Sequence, residues 1–307
     1  MAAADPPPTS DSSRVRDTAR HSILRQTVPF VLLPLLLTLT VGWIAWQNDR
    51  WTLEHEERSE YSHIRVRRHG DLRALLFVRD SGREVTETRI DLSAPHELQL
   101  PYARGMFASY LATPNPSSVL IVGLGGGAMV HFLEHHEPQV RVDAVEIDPV
   151  VVRLADEMFD VRPRGGVRIF TEDAFDYLER CKETYDVIYM DAFLRPSYQG
   201  TDGAGVPERL RTLQFYASLR ERLSDIGCVT FNLTHHAGTE SDIDTIVEAF
   251  PGSVVIDCPP SLNTIVVAPV NADNATDQQI IDRARAADER FETTFSFVDM
   301  LDHRREP

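Results

Sequence analysis

The chain has 307 residues, 42% apolar and 25% charged, a balance that suits a packed globular protein and excludes a disordered one. Its 31 lysines and arginines against 47 aspartates and glutamates leave a formal charge of −16. With no basic stripe, such a surface repels nucleic acid; it suits a cationic substrate, or is simply a solvated acidic face.

Residues 1–26 read as a disordered tail, because the first twenty are rich in Ala, Pro, Ser, Asp and Arg and lack any hydrophobic period. Residues 27–47 read as a transmembrane anchor. "VPFVLLPLLLTLTVGWIAW", Val28 to Trp46, carries no charge over the length a helix needs to cross a bilayer, and Trp43 and Trp46 sit together at one end. A signal peptide is the rival, but "VGWIAWQND" offers no small-x-small cleavage site. Arginines flank the span on both sides: Arg14, Arg16, Arg20 and Arg25 before it, Arg50, Arg58, Arg65, Arg67 and Arg68 after it. Charge therefore orients it only weakly, and a cytosolic metabolite would place the following domain in the cytoplasm.

Residues 51–95 alternate in the manner of strands, with turns at His69-Gly70 and Ser81-Gly82, which predicts a small antiparallel β domain. Residues 96–300 then alternate between strand and helix patterns. Strands are expected at 119–123, 141–147, 166–170, 185–191, 226–233, 253–257 and 263–268. Helices are expected near 100–112, 127–136, 149–159, 173–181, 209–224, 239–250 and 276–290. The fold class is α/β: a Rossmann-like, doubly wound parallel sheet of the class I methyltransferase type, preceded by the small β unit and the N-terminal transmembrane helix. In such a sheet ligands bind at the carboxyl ends of the strands.

The stretch "SVLIVGLGGGAMVHFLEHHEPQVRVDAVEIDP" raises the question of which nucleotide is held. Its turn places Gly123, Gly125 and Gly127 where bare backbone can approach a ligand at a helix start. Read as G-x-G-x-x-A through Ala128, it fits a dinucleotide equally well. Glu146, ending the second strand, can accept both ribose hydroxyl hydrogens, as either cofactor class requires. Asp148 either joins it or caps the helix starting at Pro149. "FTEDAFDYL" puts Asp173 and Ala174 past the third strand, where a carboxylate can meet an adenine amino group. "YDVIYMDAF" puts Asp191 at the end of the fourth, facing the same crevice. A dinucleotide needs only the first two of these four points, so the ordered set indicates a sulfonium nucleoside.

At these residues the chain resembles the spermidine synthase family of polyamine aminopropyltransferases, in its divergent bacterial spermidine-synthase-like branch. "ERSEYSHIRV" is similar to the family's S-x-Y-Q-x-I-x-V opening, "VEIDP" and "EDA" to its nucleoside-binding segments, and "YDVIYMDAF" to Y-D-V-I-x-D-S-S-D-P. "LRTLQFYASLRERLSDIGCVTFNL" resembles the helix and strand that follow. The resemblance implies a transferase of polyamine biosynthesis that binds decarboxylated S-adenosylmethionine, or S-adenosylmethionine itself, as donor and moves an aminopropyl group to a small amine, with no metal. An alkylamine with pKa of roughly 10.4 is protonated at neutral pH, so attack needs a base, and the matching position is Asp191. Tyr61 and Tyr102 match family tyrosines near the pocket, though either also suits core packing. Tyr198, on the glycine-rich loop 194–208, would gate the site or simply sit at the surface. A homodimer is compatible with the chain.

Departures from the family pattern are as informative. The glycine turn's aspartate corresponds to Gly126, the opening glutamine to Ser62, the Y-H/Q-E triplet to Tyr102-Ala103-Arg104, and the second carboxylate of D-S-S-D-P to Leu194. Lost charge partners weaken binding of a diamine. They also leave open S-adenosylmethionine-dependent methyl transfer to another small nucleophile, or a non-catalytic membrane scaffold of the same fold. "EHHE" at 134–137 and "HH" at 235–236 do not make a metal site, because adjacent side chains diverge. Cys181, Cys228 and Cys258 have no C-x-x-C spacing and read as buried thiols.

Overall fold

A computed structural model describes residues 50–193, 199–201, 205–271 and 275–305. The tail at 1–26, the anchor at 27–47 and Tyr198 lie outside the described residues. From Thr52 onward the chain forms one compact unit that contains two sheets.

The first sheet is an antiparallel meander of Thr52–Arg58 (β1), His63–His69 (β2), Leu72–Val78 (β3) and Glu84–Asp91 (β4). Period-two alternation turns Ile64, Val66, Leu75 and Ile90 inward, all shielded from water and continuous with the core of the larger sheet. On β4 the same alternation aims Thr88 and Ile90 at that core and Glu87 the other way.

The second sheet has the order β12-β10-β11-β9-β8-β5-β6-β7. Ser118–Val122 (β5), Arg141–Glu146 (β6), Val167–Thr171 (β7), Tyr185–Met190 (β8) and Leu223–Thr234 (β9) pair in parallel. The inner strands β5, β6 and β8 are buried on both faces, which explains their near-continuous apolar runs, whereas β7 is a half-exposed edge. Val119 and Ile121 face one core and Leu120 and Val122 the other. Helices Ala128–His136, Pro149–Phe159 and Ala174–Arg180 return the chain between strands. Because β6 and β8 lie on opposite sides of β5, the strand order reverses there and a crevice opens at the strand ends.

Three expectations are corrected. The sheet is not parallel throughout: Val254–Asp257 (β10), Asn263–Pro269 (β11) and Arg304–Arg305 (β12) pair antiparallel with their neighbours. The connection from Asp257 to Asn263 is too short for a crossover, so β10 and β11 form a hairpin. The helix expected over 209–224 is confined to Leu213–Arg220, because Leu223 already begins β9. The helix expected over 100–112 ends at Met106 and tightens into a 3-10 turn over Phe107–Leu111.

The membrane assignment is corrected as well. Among the described residues no helix is long and apolar enough to cross a membrane. The longest, Asp277–Arg290, has 14 residues, whereas a crossing takes about 20. A single-pass membrane protein with a cytoplasmic catalytic domain is therefore not supported, and a membrane partner with it. The three cysteines are buried and unbridged.

Candidate active site

A cleft of about 740 Å³, open to solvent, lies over the carboxyl ends of β5, β6 and β8. It brings together seven of the residues singled out from the sequence: Gly123, Gly125, Glu146, Asp173, Ala174, Asp191 and Tyr102.

The glycine turn owes its shape to close backbone approach. Gly123 has φ +96°, and a Cβ there would stand 2.2 Å from the carbonyl oxygen of Asp191. Its N–H donates to Val145 O at 2.9 Å and the Asp191 N–H to Val122 O at 2.9 Å, which ties the ends of β5, β6 and β8 together. Glu146 closes the other side. Its Oε2 accepts from the Leu124 N–H and its Oε1 from the Asp148 N–H, each at 3.0 Å. Burial holds this carboxyl above the usual carboxylate range, against the pull of those amides.

Asp173 caps the helix Ala174–Arg180, its Oδ1 accepting from Phe175 N–H at 2.8 Å. Its other oxygen pairs with Arg209, whose guanidinium lies over the Phe175 ring at 4.3 Å. Arg209 also lines the cleft and was not singled out from the sequence. It occupies the oxygen that the helix cap leaves free, the one the sequence reading reserves for an adenine amino group. An exposed pair of this kind is worth about 0.2–1 kcal/mol, so Arg209→Ala is expected to tighten methylthioadenosine binding about two- to five-fold by calorimetry. Weaker binding in the variant would instead assign the guanidinium to holding the adenine.

Asp191 sits at the junction of glycine turn and sheet. Asn232 donates to its Oδ1 at 2.7 Å and is itself held by Asn263 Nδ2 at 2.8 Å. Burial raises the Asp191 carboxyl to about 8; Asn232 opposes this, and the nearby Glu87 and Glu146 carboxyls add to it. The Tyr102 hydroxyl lies between Asp191 and β4, donating to the main-chain carbonyl of Glu87.

Other residues from the sequence reading lie elsewhere. Gly127, with φ +76°, is the N-cap of the helix Ala128–His136, and a Cβ there would press on Val161 at 2.6 Å. Asp148 is buried and caps Pro149–Phe159, taking Val150 N–H at 2.9 Å and the Ser59 hydroxyl, so its carboxylate is spent on structure. Tyr61 lies outside the cleft lining. His135 stacks on His96 with centroids 3.7 Å apart, and among the described residues no three His, Cys, Asp or Glu side chains gather around a common point.

The small sheet contributes residues that the sequence reading passed over. Thr88 Oγ1 accepts the Gly126 N–H at 2.8 Å, and a Cβ on Gly126 would meet Thr88 Cγ2 at 2.9 Å. Thr88 thus fills the space into which an aspartate at position 126 would project. Phe77 and Glu87 complete this wall.

The fold is a Rossmann-like α/β fold of the methyltransferase type, with a glycine turn, a strand-two acid, a strand-three acid and a strand-four acid around one cleft. Residues 106–271 match the family model of the spermine/spermidine synthase domain, and the chain belongs to that family. A polyamine aminopropyltransferase of Vibrio vulnificus is 35% identical over 208 residues, a match that spans 66% of this chain and 66% of that relative. A spermidine synthase solved in complex with the transition state analogue AdoDATO superposes with a TM-score of 0.60 at 19% identity, over 83% of this chain and 85% of that one. Human methyltransferase-like protein 13, in complex with SAH, gives a TM-score of 0.56 at 22% identity, over 66% of this chain and 99% of that one. At such identities the two structures speak for the fold alone.

Proposed function

We propose that this protein transfers the aminopropyl group of decarboxylated S-adenosylmethionine to a small amine, with Asp191 as general base. Glu146 holds the ribose hydroxyls, Asp173 and Ala174 the adenine edge, and Gly123 and Gly125 let the backbone close on the thioether end. The amine nitrogen forms a bond to the carbon beside the sulfonium while the carbon–sulfur bond breaks. The bonding pair passes to sulfur, giving neutral methylthioadenosine, and the proton of the amine passes to Asp191.

The observation that carries this reading is the position and acidity of Asp191. Moving a proton from an ammonium of pKa roughly 10.4 to an ordinary aspartate of pKa about 3.9 costs about 9 kcal/mol. With the Asp191 carboxyl raised to about 8, the same transfer costs about 3 kcal/mol. Burial that would be a defect elsewhere makes the base effective here.

Methyl transfer from S-adenosylmethionine is the second reading, favoured by Thr88 standing where an acid would otherwise meet the aminopropyl ammonium. The two separate in one assay. The full-length chain incubated with either donor and a panel of amines yields methylthioadenosine plus an aminopropylated amine under the first reading, and S-adenosylhomocysteine plus a methylated product under the second. Release of neither nucleoside overturns both.

A further inference from the structure

A second chamber, of about 1260 Å³ and open to solvent, adjoins the nucleoside cleft. Among the described residues only Glu87, Tyr102 and Phe193 line both spaces, so these three form the threshold between them. An amine that enters from the second chamber to attack a donor seated over Gly123 crosses this threshold with its nitrogen first. Of the three, Glu87 alone carries a charge.

Glu87 is unusual for a carboxylate so little exposed. Its Oε1 is shut off from solvent and makes no hydrogen bond among the described residues. The cation paired with it among the described residues, Arg79, stands 3.9 Å away, beyond hydrogen-bonding reach. A carboxylate oxygen enclosed in this way is only partly compensated for its desolvation, and a cation with N–H donors would relieve the rest. Burial accordingly raises the Glu87 carboxyl to about 7, only partly opposed by Arg79. The Glu87 charge also raises the pKa of Asp191 through space, so the two lie in one region of field. A protonated amine placed between the two would satisfy both.

We infer that Glu87 is an acceptor-binding residue: its carboxylate grips the ammonium of the incoming amine at the mouth of the second chamber and delivers the nitrogen to Asp191. This rests on the aminopropyl-transfer reading above. It gives the chain a carboxylate from β4 in place of the one that Leu194 does not supply. It also divides the labour, since Glu87 binds the cation while Asp191 takes the proton.

The test measures binding without turnover, so it stands apart from the reaction itself. The full-length chain, saturated with methylthioadenosine, is titrated calorimetrically with butylamine, 1,4-diaminobutane and 4-aminobutyrate. Loss of a charge-assisted contact in Glu87→Gln is expected to weaken whichever amine binds about ten- to a hundred-fold. Methylthioadenosine affinity should stay unchanged, which shows that the fold survives, and Glu87→Asp should recover part of the loss. In turnover, Glu87→Gln is expected to raise the amine KM by a similar factor with kcat within a few-fold. Equal amine affinity in wild type and Glu87→Gln, or no amine binding to the wild type, overturns the inference. Selective loss of affinity for decarboxylated S-adenosylmethionine, with amine binding intact, also overturns it by moving Glu87 to the donor's own ammonium. If amine binding depends on Glu87 yet no aminopropyl product forms, the binding site stands and the reaction assignment fails.

Discussion

Asp191→Asn is expected to bind methylthioadenosine as the wild type does and to lose about 10²- to 10⁴-fold in kcat, the usual share of a general base. The amide keeps the shape and can still pair with Asn232, which donates at 2.7 Å, but it cannot take a proton. Wild-type kcat/KM should rise with pH and level off above about 8, because the free carboxyl, raised by burial to about 8, must be ionised to act. The same shift has a stability consequence of definite sign. Between about pH 3.9, where an unfolded aspartate titrates, and about pH 8, the folded state binds the extra proton, so stability falls as pH rises. The asparagine variant lacks this loss. Its thermal midpoint should exceed that of the wild type at pH 8.5 and match it near pH 4. Undiminished turnover would remove Asp191 from the reaction, and a midpoint difference that does not vary with pH would show that its acid is not perturbed as described.

This part of the site could be read from residue order while its neighbours could not. Strand ends carry their own sequence marks: an apolar run, then a glycine or an acid. "SVLIVG", "RVDAVE" and "DVIYMD" each end on a side chain or bare backbone that the sheet geometry delivers to one crevice. Glu87, Thr88 and Arg209 have no such mark. Glu87 shares the polar face of β4 with Arg89, a face that alternation assigns to solvent, and only the packing of the small sheet over the glycine turn makes it a wall of the cleft. Arg209 reaches Asp173 from a segment 36 residues away, a distance in sequence over which charge pattern carries no information. The antiparallel edge was hidden for a related reason. Apolar strands of four and seven residues look alike in either direction, and only the shortness of the intervening turn decides between them. Asp148 shows the converse, since ribose ligand and helix cap demand the same residue after the same strand, and only coordinates show which way its oxygens face.

Gly123→Ala should be the most damaging single methyl in the structure. At φ +96° an L residue is strained by about 1–2 kcal/mol before any contact is counted. The added carbon would also stand 2.2 Å from Asp191 O and 2.8 Å from its carbonyl carbon. Both are main-chain atoms at the end of β8, so no rotamer change relieves the overlap. Relief would require β5 and β8 to part where Asp191 N–H meets Val122 O at 2.9 Å. The expected cost is about 3–5 kcal/mol in chemical denaturation, with methylthioadenosine affinity falling sharply because the turn and the Asp191 main chain move together. Gly70→Ala is the control: φ is +60°, but nothing lies within 4 Å of the added carbon, so the conformational strain of about 1–2 kcal/mol acts alone. If the two variants lose equal stability, β5 and β8 are not in close approach at Gly123, and the turn cannot be what sets the distance between the donor's sulfur and the base.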